Sequence, residues 1–420
     1  METLNEKKRA HGLIGYENRV LIVLFFAFGF VFFDRLAISF LFPFIQGEMN
    51  LTNSDLGVLS AVLALTWSIS GPTLGIFAGR TRRKIPLFAL LILLFSLISF
   101  GAGLITTFVT LLLLRGLMGI VEGPVLPIAQ SIMAVESSEN RRGLNMGLVQ
   151  TSSASLLAST LGPMILVGIA VAYGWRYGFY FTILPGILIA ICALLFLDEP
   201  KQVNISAFVK QEDQEKITFM DCLKFRNIWL CILLAICLLS WYLLMVTFAP
   251  TYLMNAVKMA PEHMSIAMAG LGLGGVIWGF GVPTISDRLG RKTSTIIAAF
   301  VCMFSPLALI FLHFNYILLA VVLVFVHCAQ GAHVLILSVI PSETVPQKYI
   351  PASVGLIMGI GEVVGGVIMP VVAGRAADAI NPAAPFVIAA VCALVAGFLA
   401  FGLQETAPLK LKRKSVQGNS

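Results

Sequence analysis

The sequence predicts an all-α membrane protein of twelve transmembrane helices, arranged as two pseudo-repeated six-helix bundles with both termini in the cytoplasm. Three observations carry this. The 420 residues are 58% hydrophobic and 12% charged, whereas a soluble domain is nearer one quarter charged. The apolar residues fall into blocks of about 20, enough to cross a bilayer as helix. The chain also matches itself at an offset of about 208 residues.

The blocks lie near 18–45, 55–78, 86–105, 107–133, 143–172, 176–197, 226–254, 264–286, 293–313, 316–340, 350–374 and 384–404. They are solidly apolar and lack the two-residue alternation of barrel strands. Residues 1–17 are polar and form an N-terminal tail, with no cleavable signal expected. The most polar stretch, 198–225, is a central loop dividing an N-terminal bundle (18–197) from a C-terminal one (226–404), and 405–420 form a tail.

Lys and Arg set the orientation. Of 28 such residues, Arg176, Lys258 and Arg375 fall in loops on one side, and Arg35 and Arg115 fall inside predicted spans. The other 23 fall on the side of the termini, which places that side in the cytoplasm of a cell membrane. The net charge of +7 is thereby a topological signal beside anionic lipid, and no nucleic-acid partner is implied. The seven Cys show neither metal spacing nor a disulfide framework. No cofactor or metal motif is present. The absence of a nucleophile, metal cluster or soluble catalytic domain argues against an enzyme or a polytopic sensor. A monomer is expected.

The repeat aligns "GRTRRK" (79–84) with "DRLGRK" (287–292), Gly123 with Gly331, Gly147 with Gly355, and Pro43 with Pro250. Parallel halves of six helices are a transporter architecture, with substrate held near the midplane between them.

Charges inside the spans mark the candidate site: Asp34 and Arg35 in helix 1, Arg115 and Glu122 in helix 4, and Glu362 in helix 11. Each costs about 2.5–3.5 kcal/mol at the bilayer centre, so each must pair, neutralise or face a cavity. Arg115 and Glu122 are seven apart, nearly two turns, and share a helix face. Asp34 and Arg35 are adjacent, point about 100° apart, and need partners elsewhere, expected on helix 4. Pro124 and Pro127 are expected to bend helix 4. In the repeat Arg115 aligns with Leu323, Glu122 with Gln330, and Asp34 and Arg35 with Trp241 and Tyr242. The scaffold repeats and the charges do not, which favours function over general fold support.

A buried carboxyl can exchange a proton near neutrality, and an arginine fork matches a carboxylate. Together they suit proton-coupled symport of a small organic anion: Asp34 and Glu122 take protons, Arg35 and Arg115 take the anion. Glu362 is either a further proton or substrate group or a hydrogen-bond donor in a Gly-rich helix contact. Gln150, Ser153, Trp241, Tyr242 and Gln330 are candidate lining residues. His327 and His333 share a face with Gln330 and read first as packing.

These residues carry a family resemblance. The chain is similar to the major facilitator superfamily over its whole length. That family's loop signature, G-x-x-x-D-R-x-G-R-K, is kept in "SDRLGRK" (286–292), with Pro283 at the leading Gly. In "GIFAGRTRRK" (75–84) Gly79 replaces the acid and Arg82 the second Gly. The resemblance implies gating roles for Arg80, Asp287, Arg288, Gly290 and Arg291, with Asp287 carrying more of a cytoplasmic latch. Both loops read equally as plain orientation signals. "FFDRLAISFLFPFI" (32–45) and "LRGLMGIVEGPVLP" (114–127) resemble helices 1 and 4 of the anion:cation symporter branch, which implies the same division between proton and anion residues. "GWR" (174–176) resembles that branch as a structural turn. An organic-anion antiporter and a proton-driven drug exporter of the same fold are the alternatives.

Overall fold

The computed structural model describes residues 15–81, 83–138, 141–199 and 219–410. Arg82, most of the central loop and both tail ends lie outside the described residues, as do the side chains of residues 76–80, including the Arg80 gating candidate.

Among the described residues there are helices and no strands. Eleven helices are long and apolar enough to cross a membrane. They are α1 (Tyr16–Met49), α2 (Asn53–Arg80), α3 (Lys84–Ala102), α4 (Phe108–Glu136), α5 (Arg142–Tyr173), α6 (Trp175–Phe196), α7 (Arg226–Ala256), α8 (Pro261–Leu289), α9 (Arg291–Phe311), α10 (Tyr316–Thr344) and α11 (Gln347–Ala379). A shorter apolar helix, α12 (Ala384–Ala400), ends the series.

Local chemistry explains where the helices start and break. Thr107 caps α4 by accepting from the Thr110 amide, and its repeat mate Asn315 caps α10 by accepting from Ile317 and Leu318. The expected bend in α4 is a break: one segment ends at Glu122 and the next begins at Val125, around Pro124. The α10 helix breaks at His327 and Cys328. Gly123 is packed so closely on α2 that an added methyl would strike Ser70 Oγ and the Gly71 amide. Gly331 meets the Trp278 carbonyl and Val282 of α8 in the same way. Ser70 and Trp278 are themselves 208 apart, so the repeat read in the sequence recurs as a packing contact.

The two ends of the bundle differ. The basic end carries the residues expected in the cytoplasm; the far end carries the α1–α2, α7–α8 and α11–α12 turns. Among the described residues, hydrogen bonds joining the first six helices to the later ones lie at the midplane or the far end. Asn255 of α7 donates to Gln46 of α1 at 2.6 Å, and Asp378 of α11 binds the start of α2. Two further seams are built on small residues. Gly57 of α2 lies against the Pro370 carbonyl of α11, and Gly272 and Gly275 of α8 lie against Ser159 and Ser155 of α5.

Candidate functional site

The five charges converge on one place where α1, α2, α4, α7 and α11 meet. Asp34 is fully buried, and Ser99 of α3 donates to its Oδ1 at 2.6 Å; its Oδ2 has no hydrogen-bond partner among the described residues. Arg35, about 100° further round α1, points away from Asp34. Its Nη2 donates to Glu362 Oε1 of α11 at 2.9 Å, and its guanidinium lies 5.4 Å from the Trp67 ring of α2 and 5.5 Å from Phe32. Arg115 Nη2 donates to the Arg35 backbone carbonyl at 2.9 Å, and Nη1 reaches the Met118 sulfur at 3.3 Å. Glu122 is buried on the same helix face as Arg115, and neither of its oxygens accepts a hydrogen bond among the described residues.

This geometry corrects one expectation. Helix 4 does not supply side-chain partners to Asp34 and Arg35. The Asp34 carboxyl turns inward to α3, while Arg35 crosses to α11, because two consecutive positions cannot face the same neighbour. Arg115 instead holds the backbone of α1, using the free lone pair of a helical carbonyl.

Beside the two arginines is a small cavity of about 20 Å³, room for water and not yet for a substrate. Arg35 and Arg115 lie in its wall with Ser39, Ser60 and Thr247. Leu36, Leu63 and Ala64 from the first half, and Leu243, Gly366 and Pro370 from the second, complete it. Two arginines and three hydroxyl-bearing residues among apolar ones give this lining the chemistry to recognise a carboxylate, and the space for one has to open as the helices move.

The other candidates distribute unevenly. Trp241 is fully buried, donates to the Cys302 carbonyl at 3.1 Å, and lies tilted against His327 with ring centroids 4.6 Å apart. It packs α7 against α9 and α10 and does not line the cavity, which corrects its assignment as a substrate residue. Ser153 is corrected likewise: it is fully buried and its hydroxyl donates to the Val149 carbonyl of its own helix. Gln150 accepts from Gln130 at 2.9 Å, within the first half. Tyr242 sits near Arg35, Glu362 and Ser159, at the midplane seam. Gln330 is half-buried beside Gly275 of α8 and is not among the residues lining the cavity. The Gly-rich surround of Glu362 does give close packing: Gly365 lies on Leu239 and Ser240 of α7, and Gly366 on Ala64 of α2.

At the basic end, Arg291 is a hub. It pairs with Asp287 at 2.7 Å and with Glu343 of α10 at 2.9 Å, and its amide donates to Glu405 at 2.7 Å. Gly290 has φ +99°, a conformation that side chains strain to adopt, and a Cβ there would strike the Glu405 carboxylate. Arg288 is exposed. Among the described residues Asp287 pairs with Arg291, one turn on; the first-half loop side chains that a latch would reach lie mostly outside them.

Sequence reasoning missed Ser99, the Ser and Thr residues lining the cavity and Trp67, because Ser, Thr and Trp are ordinary in membrane helices and carry no charge signal. The "GWR" turn proves to be an anchor: Trp175 Nε1 and both Arg176 Nη atoms bind Glu48 at the end of α1, at 2.7–3.0 Å.

Residues 24–364 match the family model described as Major Facilitator Superfamily. A hexuronate transporter of Bacillus subtilis is 27% identical over 306 residues, covering 69% of this chain and 71% of that protein. The quinolone resistance protein NorA of Staphylococcus aureus is 27% identical over 261 residues, covering 62% of this chain and 65% of its own length. Among solved structures, a D-xylose-proton symporter superposes with a TM-score of 0.76 at 16% identity, covering 93% of this chain and 99% of that one. At that identity the likeness shows the fold alone.

Proposed function

From the chain's membership of the Major Facilitator Superfamily, we propose that it is a secondary active transporter that carries a small organic anion together with protons by alternating access. In this reading twelve helices span the cell membrane as two six-helix bundles, the basic end is cytoplasmic, and the protein works as a monomer. One observation carries the proposal: Arg35 and Arg115 line one cavity, with Asp34, Glu122 and Glu362 around them.

The chemistry follows from which charges are partnered. A buried carboxylate without a hydrogen bond is costly, which suits Glu122 to take a proton during the cycle. Arg35 is occupied by Glu362, which stands where the anion's carboxylate would bind. A proton arriving at Glu362 releases the fork, and the anion replaces one carboxylate with another at little electrostatic cost. Arg115 steadies α1 through the Arg35 carbonyl and supplies the second positive charge. When the anion leaves, Glu362 loses its proton and returns to Arg35. Asp34, buried against Ser99, is the third acid that can take part. The relative named for hexuronate, a sugar acid, supports the anion reading.

NorA among the relatives supports a second reading, proton-driven export of a drug. Two arginines at the cavity repel a cationic drug, which weighs against it. Transport in proteoliposomes separates the readings. The first requires accumulation of a carboxylate with an inward proton gradient; the second requires dye extrusion against it. Uncoupled exchange of anion for anion would instead assign an antiporter.

A further inference from the structure

Five residues of α11 fall at steps of four: Glu362, Gly366, Pro370, Gly374 and Asp378. All five meet the first half of the chain. Glu362 takes Arg35, Gly366 lies on Ala64, Pro370 meets Gly57, and Gly374 meets the backbone of Asn53 and Ser54. In a regular α-helix a four-residue step drifts about 40° ahead each time. The turn from Glu362 to Ile368 is π-helical, and its wider turn drifts the other way. That keeps the charged midplane end of the stripe on the same face as the rest.

Asp378 closes the stripe. Its Oδ1 accepts from the Asn53 amide at 3.0 Å and from Asn53 Nδ2 at 2.8 Å; its Oδ2 accepts from the Ser54 amide at 2.7 Å and from Ser54 Oγ at 2.6 Å. A helix start carries unsatisfied amides and partial positive charge, ordinarily met by its own capping residue. The α2 start has such a local cap, Thr52 Oγ1 accepting from the Asp55 amide and Asp55 Oδ2 from the Thr52 amide, and a carboxylate from the other half takes the Asn53 and Ser54 amides that it leaves, with four charge-assisted hydrogen bonds. Most caps are local and survive any rigid motion of their bundle; this one breaks whenever α2 and α11 part.

We propose that Asp378 is the far-end gate latch: it holds the outer mouth of the cavity shut by capping α2 in trans, and releases it when the carrier turns outward. The stripe makes the latch and the Arg35–Glu362 pair two holds on one seam, roughly 24 Å apart along α11. The proposal rests on the transporter reading and on the far end facing outside, but not on the identity of the anion.

The test needs no transported substrate. Ser60, in the cavity wall on α2, is replaced by Cys, and its reaction with a membrane-impermeant maleimide is timed in intact cells and in inside-out vesicles. The parent chain, with its seven native cysteines, gives the background. Asp378→Ala is expected to speed labelling at least tenfold in intact cells and not in vesicles, with Asp378→Asn intermediate and Glu362→Gln acting in the same direction. A Ser54→Cys/Asp378→Cys pair, oxidised to a disulfide, is expected to stop labelling from outside until a reductant is added. Unchanged labelling of Asp378→Ala in cells, faster labelling in both preparations, or outside labelling that persists in the cross-linked protein would overturn the latch.

Discussion

Arg35 and Glu362 form an ion pair at 2.9 Å across the seam between α1 and α11, at the wall of the cavity. Both side chains are about nine-tenths buried. A buried pair contributes little to stability against an apolar replacement, yet breaking it on one side leaves a costly bare charge. In the proposed cycle each member of the pair exchanges partners, and that is a use for a contact that adds little stability.

Glu362→Gln leaves Arg35 without its internal competitor. Anion affinity is expected to rise about tenfold at neutral pH, and the dependence of binding on pH to flatten, because a proton is no longer needed to vacate the fork. Arg35→Ala is expected to lose at least thirtyfold in affinity, in line with roughly 2–5 kcal/mol for truncating a buried charge partner. Titration calorimetry on purified protein, across pH 5–8, checks both.

Glu122→Gln mimics the protonated acid permanently. Binding and anion-for-anion counterflow are expected to survive within about threefold, while accumulation driven by a proton gradient is lost. Parallel counterflow and gradient-driven uptake in proteoliposomes measure the split. Loss of both together would make Glu122 a structural group.

Trp241 is packing, and its substitution should read as stability. Trp241→Phe removes the donor to the Cys302 carbonyl, at a cost of about 1 kcal/mol. A fall of several degrees in Tm with an unchanged KM is expected. A raised KM at unchanged Tm would return Trp241 to the cavity wall.

Gly123 and Gly331 occupy equivalent contacts in the two halves. An alanine at either position forces backbone apart, at about 1–3 kcal/mol. Both variants are expected to yield less folded protein, judged by size-exclusion profile and melting, and neither to change substrate selectivity.

The helices and the repeat were legible in the sequence because hydrophobic length and charge bias are one-dimensional signals. So were the five membrane charges, since each is an exception that chemistry must answer. Partnership was not legible. Asp34 reaches Ser99, 65 positions away, and Arg35 reaches Glu362, 327 positions away; no local spacing encodes either. Trp241 and Ser153 read the same as Tyr242 in one dimension, because helix position alone does not say which face turns inward. Asp378 attracted no notice because an acid at a helix end reads as solvated surface. Its role appears only when Asn53 and Ser54, from the other half, are brought beside it.

The central claim is that an organic anion enters with protons. Its most direct measurement is proton flux into proteoliposomes loaded with a pH-sensitive dye, on adding a panel of membrane-impermeant carboxylates such as glucuronate, with protein-free liposomes as baseline. The account predicts that at least one carboxylate drives inward proton movement, and that Glu122→Gln abolishes it while still binding the anion. Protein that moves no protons with any carboxylate, yet extrudes a cationic dye in exchange for them, would contradict it.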